Sequence, residues 1–194
     1  LEELAVEYPD HPLVFSARIR QGDILRKLGE FSLAEQTYEN IIQQFGTTRA
    51  DIYLVELYRA NSRLAQAGND PQRLMTVAAE LENLYDRPDV PLDFQAEVGY
   101  IWAHTLNTAG YPARAQETLW RVASACAPEG AVRPALGARG RLWLSKSLLM
   151  LSDLLAAQSN TREAQNALRI LYQNRLPGWR LAQTRLGISS DGEG

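Results

Sequence analysis

The sequence has 194 residues, of which 45% are hydrophobic and 22% charged, so the chain can bury the core of one domain or one short solenoid. No stretch approaches the roughly 18 uncharged apolar residues of a membrane-spanning helix, and we expect no direct membrane insertion. One cysteine, Cys126, allows no internal disulfide, and the two histidines do not supply the roughly four ligands that zinc needs.

Residues 1–10 contain LEELAVEY, whose apolar positions follow helical spacing. This pattern predicts the tail of a helix that belongs to a preceding repeat. The proline pair in the segment YPDHP then ends this helix and precedes the next one, because the residue before a proline disfavours helical backbone.

The pattern over residues 12–48 predicts a first helical hairpin, which we call unit one. Its first helix carries an apolar stripe made of Ala17, Ile24, Leu25 and Leu28. Gly22 lies within this helix and leaves room for another backbone to approach. Gly29 suits the left-handed conformation that ends a helix, so it predicts the turn.

The second helix of unit one has apolar residues spaced four, three and four apart, which places them on one helical face. They are Ala34, Tyr38, Ile41 and Phe45. Ser32 and Glu35 are three residues apart before this stripe, which predicts a capping box at the helix start.

The same pattern recurs over residues 50–88, 91–127 and 141–176, which we call units two, three and four. The turn residues are Gly29, Gly68, Gly110 and Ser159. The second-helix positions are Ala34, Leu74, Ala115 and Ala164, then Tyr38, Ala78, Leu119 and Leu168, then Ile41, Leu81, Val122 and Leu171. Unit two needs one inserted residue near Asp70 and is degenerate, and Asn160 with Glu163 predicts a cap pair in unit four.

Residues 128–140 form the longest irregular break, with five prolines and glycines, and we expect a bend or a seam between two sub-stacks there. Residues 177–187 predict a short capping helix over the exposed face of unit four, as the end of a solenoid requires. Residues 188–194 have little to bury and predict a disordered tail.

The small–leucine–glycine–alanine pattern resembles that of the tetratricopeptide-repeat (TPR) family. It is present as Gly22, Leu25, Gly29 and Ala34, as Ala103, Leu106, Gly110 and Ala115, and with serine in place of glycine as Ser152, Leu155, Ser159 and Ala164. The resemblance implies an all-α, right-handed solenoid of about four hairpins. The family period is about 34 residues, whereas the second-helix anchors here are 40, 41 and 49 residues apart, which implies longer loops and an irregular pitch.

The stretch from EYPDHP to the end of unit one is similar to a bacterial variety of these repeats that is common in envelope proteins. This similarity implies the cell envelope or periplasm as the location, with the cytoplasm left open.

The resemblance also implies a concave groove lined by the first helices. Slot by slot, the groove residues are Ile19, Tyr58, Tyr100 and Leu149, then Asp23, Ser62, His104 and Asp153, with Arg20, Arg59 and Asn107 beside them. Tyrosine and histidine rings with polar tips suit an extended peptide or a partner helix. The alternative is that some of these residues pack between hairpins. Recognition of a chaperone C-terminal tail is not expected, because Ile19 and Asp23 stand where that clamp needs lysine and asparagine.

The sequence contains no glycine-rich phosphate loop, no GxSxG elbow and no HExxH helix, so we expect neither catalysis nor a cofactor. Cys126 takes the slot of Phe45 and is predicted to be a buried structural thiol. The four tryptophans are expected to fill gaps between hairpins, with Trp179 the least protected and the alternative anchor for a partner.

Charge is distributed unevenly along the chain. Residues 1–111 hold nine basic and seventeen acidic groups, a net charge of −8, and residues 112–186 hold eleven basic and four acidic groups, a net charge of +7. Basic second-helix residues such as Arg169 have no interleaved aromatic platform, so nucleic acid is not the expected partner. The function predicted is a protein-interaction scaffold that binds a peptide or partner helix. The alternatives are a spacer or homo-oligomerising element joined through its charged ends, or a regulatory domain of a larger protein.

Overall fold

The computed structural model describes residues 12–188, and this part of the chain is all-helical, with nine α-helices and no strand. The helices are α1 (Pro12–Lys27), α2 (Phe31–Phe45), α3 (Tyr53–Ala67), α4 (Pro71–Tyr85), α5 (Leu92–Thr108), α6 (Pro112–Cys126), α7 (Ala138–Ala157), α8 (Thr161–Gln173) and α9 (Trp179–Arg185). The all-α prediction is confirmed. The predictions for residues 1–10 and 189–194 lie outside the described residues, and the right-handed solenoid stays a prediction.

The chain divides into two compact units, unit A (Leu1–Asp89) and unit B (Val90–Gly194). Within unit A, α1 packs against α2 and α3, and α3 packs against α2 and α4. Within unit B, α7 packs against α5, α6 and α8, and α9 packs against α8. The division between the two units therefore falls at residues 89–90, and residues 128–140 lie within unit B, where a bend stays a prediction.

The segment between α6 and α7 belongs to unit B because polar side chains tie it to neighbouring helices. The Asn174 amide donates to the Gly130 carbonyl at 2.7 Å and accepts from the Val132 N–H at 3.1 Å. The Asp93 carboxylate of α5 accepts from the N–H groups of Gly137 and Gly140 at 2.9 and 3.0 Å. These bonds satisfy backbone groups that would otherwise lack partners, so the break is a fixed connection.

The equivalent positions predicted on the second helices are all buried. They lie on α2, α4, α6 and α8, which carry Tyr38, Ala78, Leu119 and Leu168 in one position and Ile41, Leu81, Val122 and Leu171 in the next. The recurrence read from the sequence therefore corresponds to a recurring packing face.

Three of the four turns end the preceding helix in the same way. Gly29, Gly110 and Ser159 have φ values of +82°, +90° and +63°. After each of them, the next N–H bonds back to a carbonyl in the last turn of the helix, as from Asn160 to Leu155 at 3.0 Å. Gly68 also has positive φ, but its ψ of −118° lies outside the left-handed helical region. The inserted residue expected near Asp70 accompanies this different turn.

The predicted capping box is wrong. The α2 helix begins at Phe31 with Glu30 at its cap, two residues before the predicted cap Ser32, and no side chain caps it. Ser32 instead donates to the side chain of Gln66 at 2.9 Å, and Glu35 accepts from Gln66 at 2.7 Å. The cap pair of Asn160 and Glu163 is confirmed, with the Asn160 amide 2.8 Å from the Glu163 carboxylate.

Two expectations for α1 also differ from the structure. Ile24 and Leu28 are 57% and 71% exposed, and the buried apolar residues of this helix are Val14 and Phe15. Gly22 admits the Tyr38 ring instead of a backbone, because a Cβ at Gly22 would lie 2.5 Å from the Tyr38 Cε1 atom.

We predict that Ser159→Gly stabilises the protein. Serine pays a steric cost at φ +63° that glycine avoids, and the net gain is about 1 kcal/mol, or roughly 2–4 °C in melting temperature. Thermal unfolding followed by circular dichroism measures this shift. Gly110→Ser is the matched control with the opposite sign, since φ is +90° and a Cβ added there would meet no atom within 4 Å. A lower melting temperature for Ser159→Gly would contradict the assignment.

Candidate partner-binding surfaces

The predicted groove residues of unit A do not form one open surface. Ile19 and Tyr58 are half-buried and pack against the hydrophobic core. Ser62 is fully buried, and its hydroxyl donates to the Tyr58 carbonyl at 3.1 Å. Arg20 is exposed. Ser62 is therefore not accessible to a partner.

Asp23 is engaged inside unit A. Its carboxylate accepts from the Tyr38 hydroxyl at 2.9 Å and lies 3.6 Å from the Arg26 guanidinium. Burial of Tyr38 raises the pKa of this phenol well above its usual range, and the hydrogen bond to the Asp23 carboxylate adds to the rise. The phenol therefore stays protonated and holds Asp23 in place.

Arg59 belongs to an ion-pair network that links three helices of unit A. Its guanidinium lies 2.5 Å from Glu39 of α2 and 3.9 Å from Glu80 of α4. Arg63 bonds Glu35 at 2.7 Å and also pairs with Glu80. Burial favours a higher pKa for Glu35, but the hydrogen bonds from Arg63 and Gln66 outweigh it and hold the pKa below its usual value. The network therefore connects helices, and it occupies Arg59.

In unit B the structure brings two predicted residues together with two others. Tyr100 and His104 of α5 have ring centroids 6.2 Å apart, and the Tyr100 ring lies 5.3 Å from the Trp143 ring of α7. The Lys146 ammonium lies 3.8 Å from the centre of the Trp143 ring and 5.9 Å from that of Tyr100. We call these four residues the aromatic–cation surface.

The side chains of this surface are accessible. His104 and Lys146 are exposed, and Tyr100 and Trp143 are half-buried. Within residues 12–188, neither His104 nor Lys146 makes an ion pair. Cations over aromatic faces are attracted by the ring quadrupole, which orders the lysine without neutralising its charge. The surface therefore offers flat apolar area beside positive charge.

The other predicted groove residues of unit B are Asn107, Leu149 and Asp153, on the same two helices as these four. Asn107 and Leu149 are half-buried, and a Cβ at Gly178 would lie 3.9 Å from the Leu149 side chain. Asp153 pairs with Arg185 of α9 at 2.7 Å. The segment from Gly178 to α9 therefore contacts the C-terminal half of this face of α7.

Sequence reasoning did not select Trp143 and Lys146 as binding residues. Trp143 was expected to fill a gap between hairpins, and Lys146 was not part of any sequence motif. Their spacing of three residues on one helix was the available signal, because such residues share a helical face. Only the packing of α7 against α5 places them beside Tyr100.

Trp179 lies in a second aromatic cluster, at the start of α9. Its ring is 6.1 Å from that of Tyr172, and the Arg175 and Arg180 guanidinium carbons lie 4.1 and 5.4 Å from its centre. It is half-buried, and so are Trp120 and Trp143, whereas Trp102 is buried. Trp179 is thus covered by arginines on its own segment.

Cys126 is buried, as predicted, and burial raises its pKa to about 12. In the part of the chain that the structure describes, no three metal-ligating side chains cluster together. Over the same residues, no helix has both the length and the apolarity needed to cross a bilayer.

Comparison with protein-family models, with curated proteins and with solved structures gives no match for this chain. Membership of the TPR family therefore stays a prediction from the sequence pattern.

We predict that Cys126 of the folded protein reacts with iodoacetamide at pH 8 at least about a hundredfold more slowly than in urea. The thiolate is the reactive form, and both burial and the raised pKa suppress it in the folded state. Mass spectrometry of the alkylated protein over time measures both rates. Equal rates in the two conditions would show that the thiol is accessible.

Proposed function

We propose that this chain is a non-catalytic protein-interaction scaffold and that its aromatic–cation surface binds an acidic extended peptide or partner helix. One observation supports this most directly. Two helices of the same unit place two partly exposed rings, 5.3 Å apart, beside the Lys146 ammonium and the His104 imidazole, which have no acidic partner among the described residues.

Large aromatic rings contribute much of the binding energy at protein interfaces, since they bury wide areas at little cost in side-chain entropy. Here the rings belong to helices that are packed into a core. Trp102, Leu106, Leu144 and Leu148, on the same two helices, are buried in the core of unit B. A partner would therefore meet a surface that is already arranged, which reduces the entropy lost on binding.

The polar side chains of this surface favour acidic partners. The Lys146 ammonium can pair with a carboxylate and the His104 imidazole can donate a hydrogen bond to one, and complementary charge at Lys146 raises the association rate and selects among partners. The resemblance to TPR proteins agrees with this location, because it places Tyr100 and His104 in the groove. Of the remaining groove residues, Ser62 is buried, and the others stay predictions.

We expect Tyr100→Ala with His104→Ala to abolish peptide selection by this surface. A phage-displayed library of random dodecapeptides is panned on the purified protein, and binding of the enriched sequences is measured by fluorescence polarisation. Wild-type protein should enrich peptides rich in aspartate and glutamate, and the double variant should bind them at least about tenfold more weakly, as loss of an interface anchor does.

Tyr111→Ala is the matched control, because Tyr111 is a 45% exposed tyrosine of unit B outside this surface. It should retain full binding. Circular dichroism establishes that both variants fold. Undiminished binding by a folded Tyr100→Ala, His104→Ala protein would remove the proposal.

Self-association is the second candidate, and the charges of the units favour it. Unit A holds nine basic and fifteen acidic groups, a net charge of −6, and unit B holds eleven basic and eight acidic groups, a net charge of +3. Opposite charges on different parts of one chain can attract copies head to tail.

This candidate predicts association that depends on both concentration and salt. Sedimentation velocity in about 0.02 M salt should show oligomers that dissociate in about 0.5 M salt, since the Debye length shortens from roughly 20 Å to below 5 Å. A monomer at every concentration in low salt would contradict it, and this result would leave the peptide proposal intact.

A further inference from the structure

A cleft lies between α6 and α8 in unit B, away from the aromatic–cation surface. Its volume is about 480 Å³, within the range of roughly 300–1,000 Å³ that ligand sites occupy. Residues of α6, of the turn that follows it, and of α8 line the cleft.

Each of the two helices lines the cleft with one face. The lining residues follow spacings of three, one and three on both helices, which places each set on a single side. They are Trp120, Ala123, Ser124 and Ala127 on α6 and at its C-cap, and Asn166, Arg169, Ile170 and Gln173 on α8.

The turn Pro128–Gly130 closes one end of the cleft. It follows directly after α6, and the Asn174 amide, directly after α8, donates to the Gly130 carbonyl at 2.7 Å. The C-terminal ends of both helices therefore meet at this end, and their dipoles favour positive charge there. Glu129 belongs to the same turn, has φ +55°, and adds a carboxylate.

The chemistry of the lining suits a polypeptide. Trp120 and Ile170 supply apolar area. The side-chain amides of Asn166 and Gln173 make no hydrogen bond within residues 12–188, and each offers both donors and an acceptor, as a peptide backbone requires. Arg169 and Glu129 also line the cleft, and neither makes an ion pair with another described residue.

We propose that the α6–α8 cleft binds an extended peptide segment that carries a basic residue at the end closed by the turn and an acidic residue two positions away, opposite Arg169. Its lining shares no residue with the aromatic–cation surface, so it serves a second partner peptide.

The length of the cleft selects a peptide over a single amino acid. Asn166 and Gln173 are seven residues apart on α8, which corresponds to about 10 Å along the helix. An extended chain rises about 3.3 Å per residue, so about three residues are needed to reach both amides. A free amino acid reaches only one of them.

The same geometry sets the charge spacing in the ligand. Arg169 precedes Gln173, at the closed end, by four residues, or about 6 Å along α8. Side chains two positions apart in an extended peptide point to the same side and are separated by about 6.6 Å. A lysine near Glu129 and an aspartate near Arg169 therefore fit when one residue separates them.

The test uses the whole chain and pools of acetyl- and amide-capped hexapeptides. In the first pool, lysine and aspartate occupy positions two and four in either order, and the other positions are randomised. In the second pool the two charges are adjacent, and in the third they are replaced by glutamine and asparagine. Binding is followed by NMR of the Trp120 indole N–H, assigned with Trp120→Phe, and of the Asn166 and Gln173 side-chain amides.

We expect millimolar peptide from the first pool to shift these signals and the other two pools to bind at least about tenfold more weakly. Arg169→Gln and Glu129→Gln should each weaken binding about tenfold, as the loss of a charged hydrogen bond does. Both side chains are exposed, so both variants should fold. Arg162→Gln is the matched control, an exposed arginine of α8 outside the cleft, and should leave binding within about twofold.

Absence of shifts with the first pool overturns the proposal, and so do equal affinities for the three pools or full binding by both charge variants. Tyr100→Ala with His104→Ala should leave the Trp120 response unchanged. If that double variant abolishes it, the two surfaces are one site and the proposal of a separate cleft is wrong.

Discussion

Burial of one stripe of side chains on every second helix is the constraint on which the rest of the structure depends. Tyr38, Leu119 and Leu168 occupy the same position on α2, α6 and α8, and all are buried. A helix can bury such a stripe only if the chain reverses sharply after the preceding helix, so that the preceding helix lies against the stripe. The left-handed residues at Gly29, Gly110 and Ser159 make that reversal. Both candidate binding surfaces are what this packing leaves uncovered on unit B.

The sequence predicted those features that depend on local pattern. The helical period of the second helices, the turns at Gly29, Gly110 and Ser159 and the cap of Asn160 are set by neighbours within one or two turns, and these agree with the structure. The prediction of a capping box was wrong because a side chain distant in the sequence competes for the hydrogen bonds of Ser32 and Glu35. Gln66, on α3, bonds both Ser32 and Glu35, and nothing near those residues in the sequence reveals it. The bonds from the Asp93 and Asn174 side chains to the segment at 128–140 were unpredictable for the same reason, since both residues lie far from it in the sequence.

The candidate surfaces were predictable only in part. Slot matching selected Tyr100 and His104, which lie together, but it also selected Ser62, which is buried, and Arg59, which pairs with Glu39. Spacing along one helix does not say which neighbour covers a side chain. The α6–α8 cleft was not predicted from the sequence. Arg169 was expected to be a solvated residue, and Trp120 was expected to fill a gap between hairpins. Their proximity results from two helices that share a third, α7, as a neighbour.

Asn174 illustrates how much order one uncharged side chain can impose. Its amide serves the Gly130 carbonyl, the Val132 N–H and the Ile170 carbonyl together, so donors and acceptor are all in use. An isosteric aspartate would keep the shape but could no longer donate to either carbonyl, and leucine would lose all three bonds. We therefore expect few other side chains to be tolerated at this position, although its role is only to hold the connection in place. Sequence variation among descendants of this chain should therefore fall on the solvent side of the connection and spare its anchor.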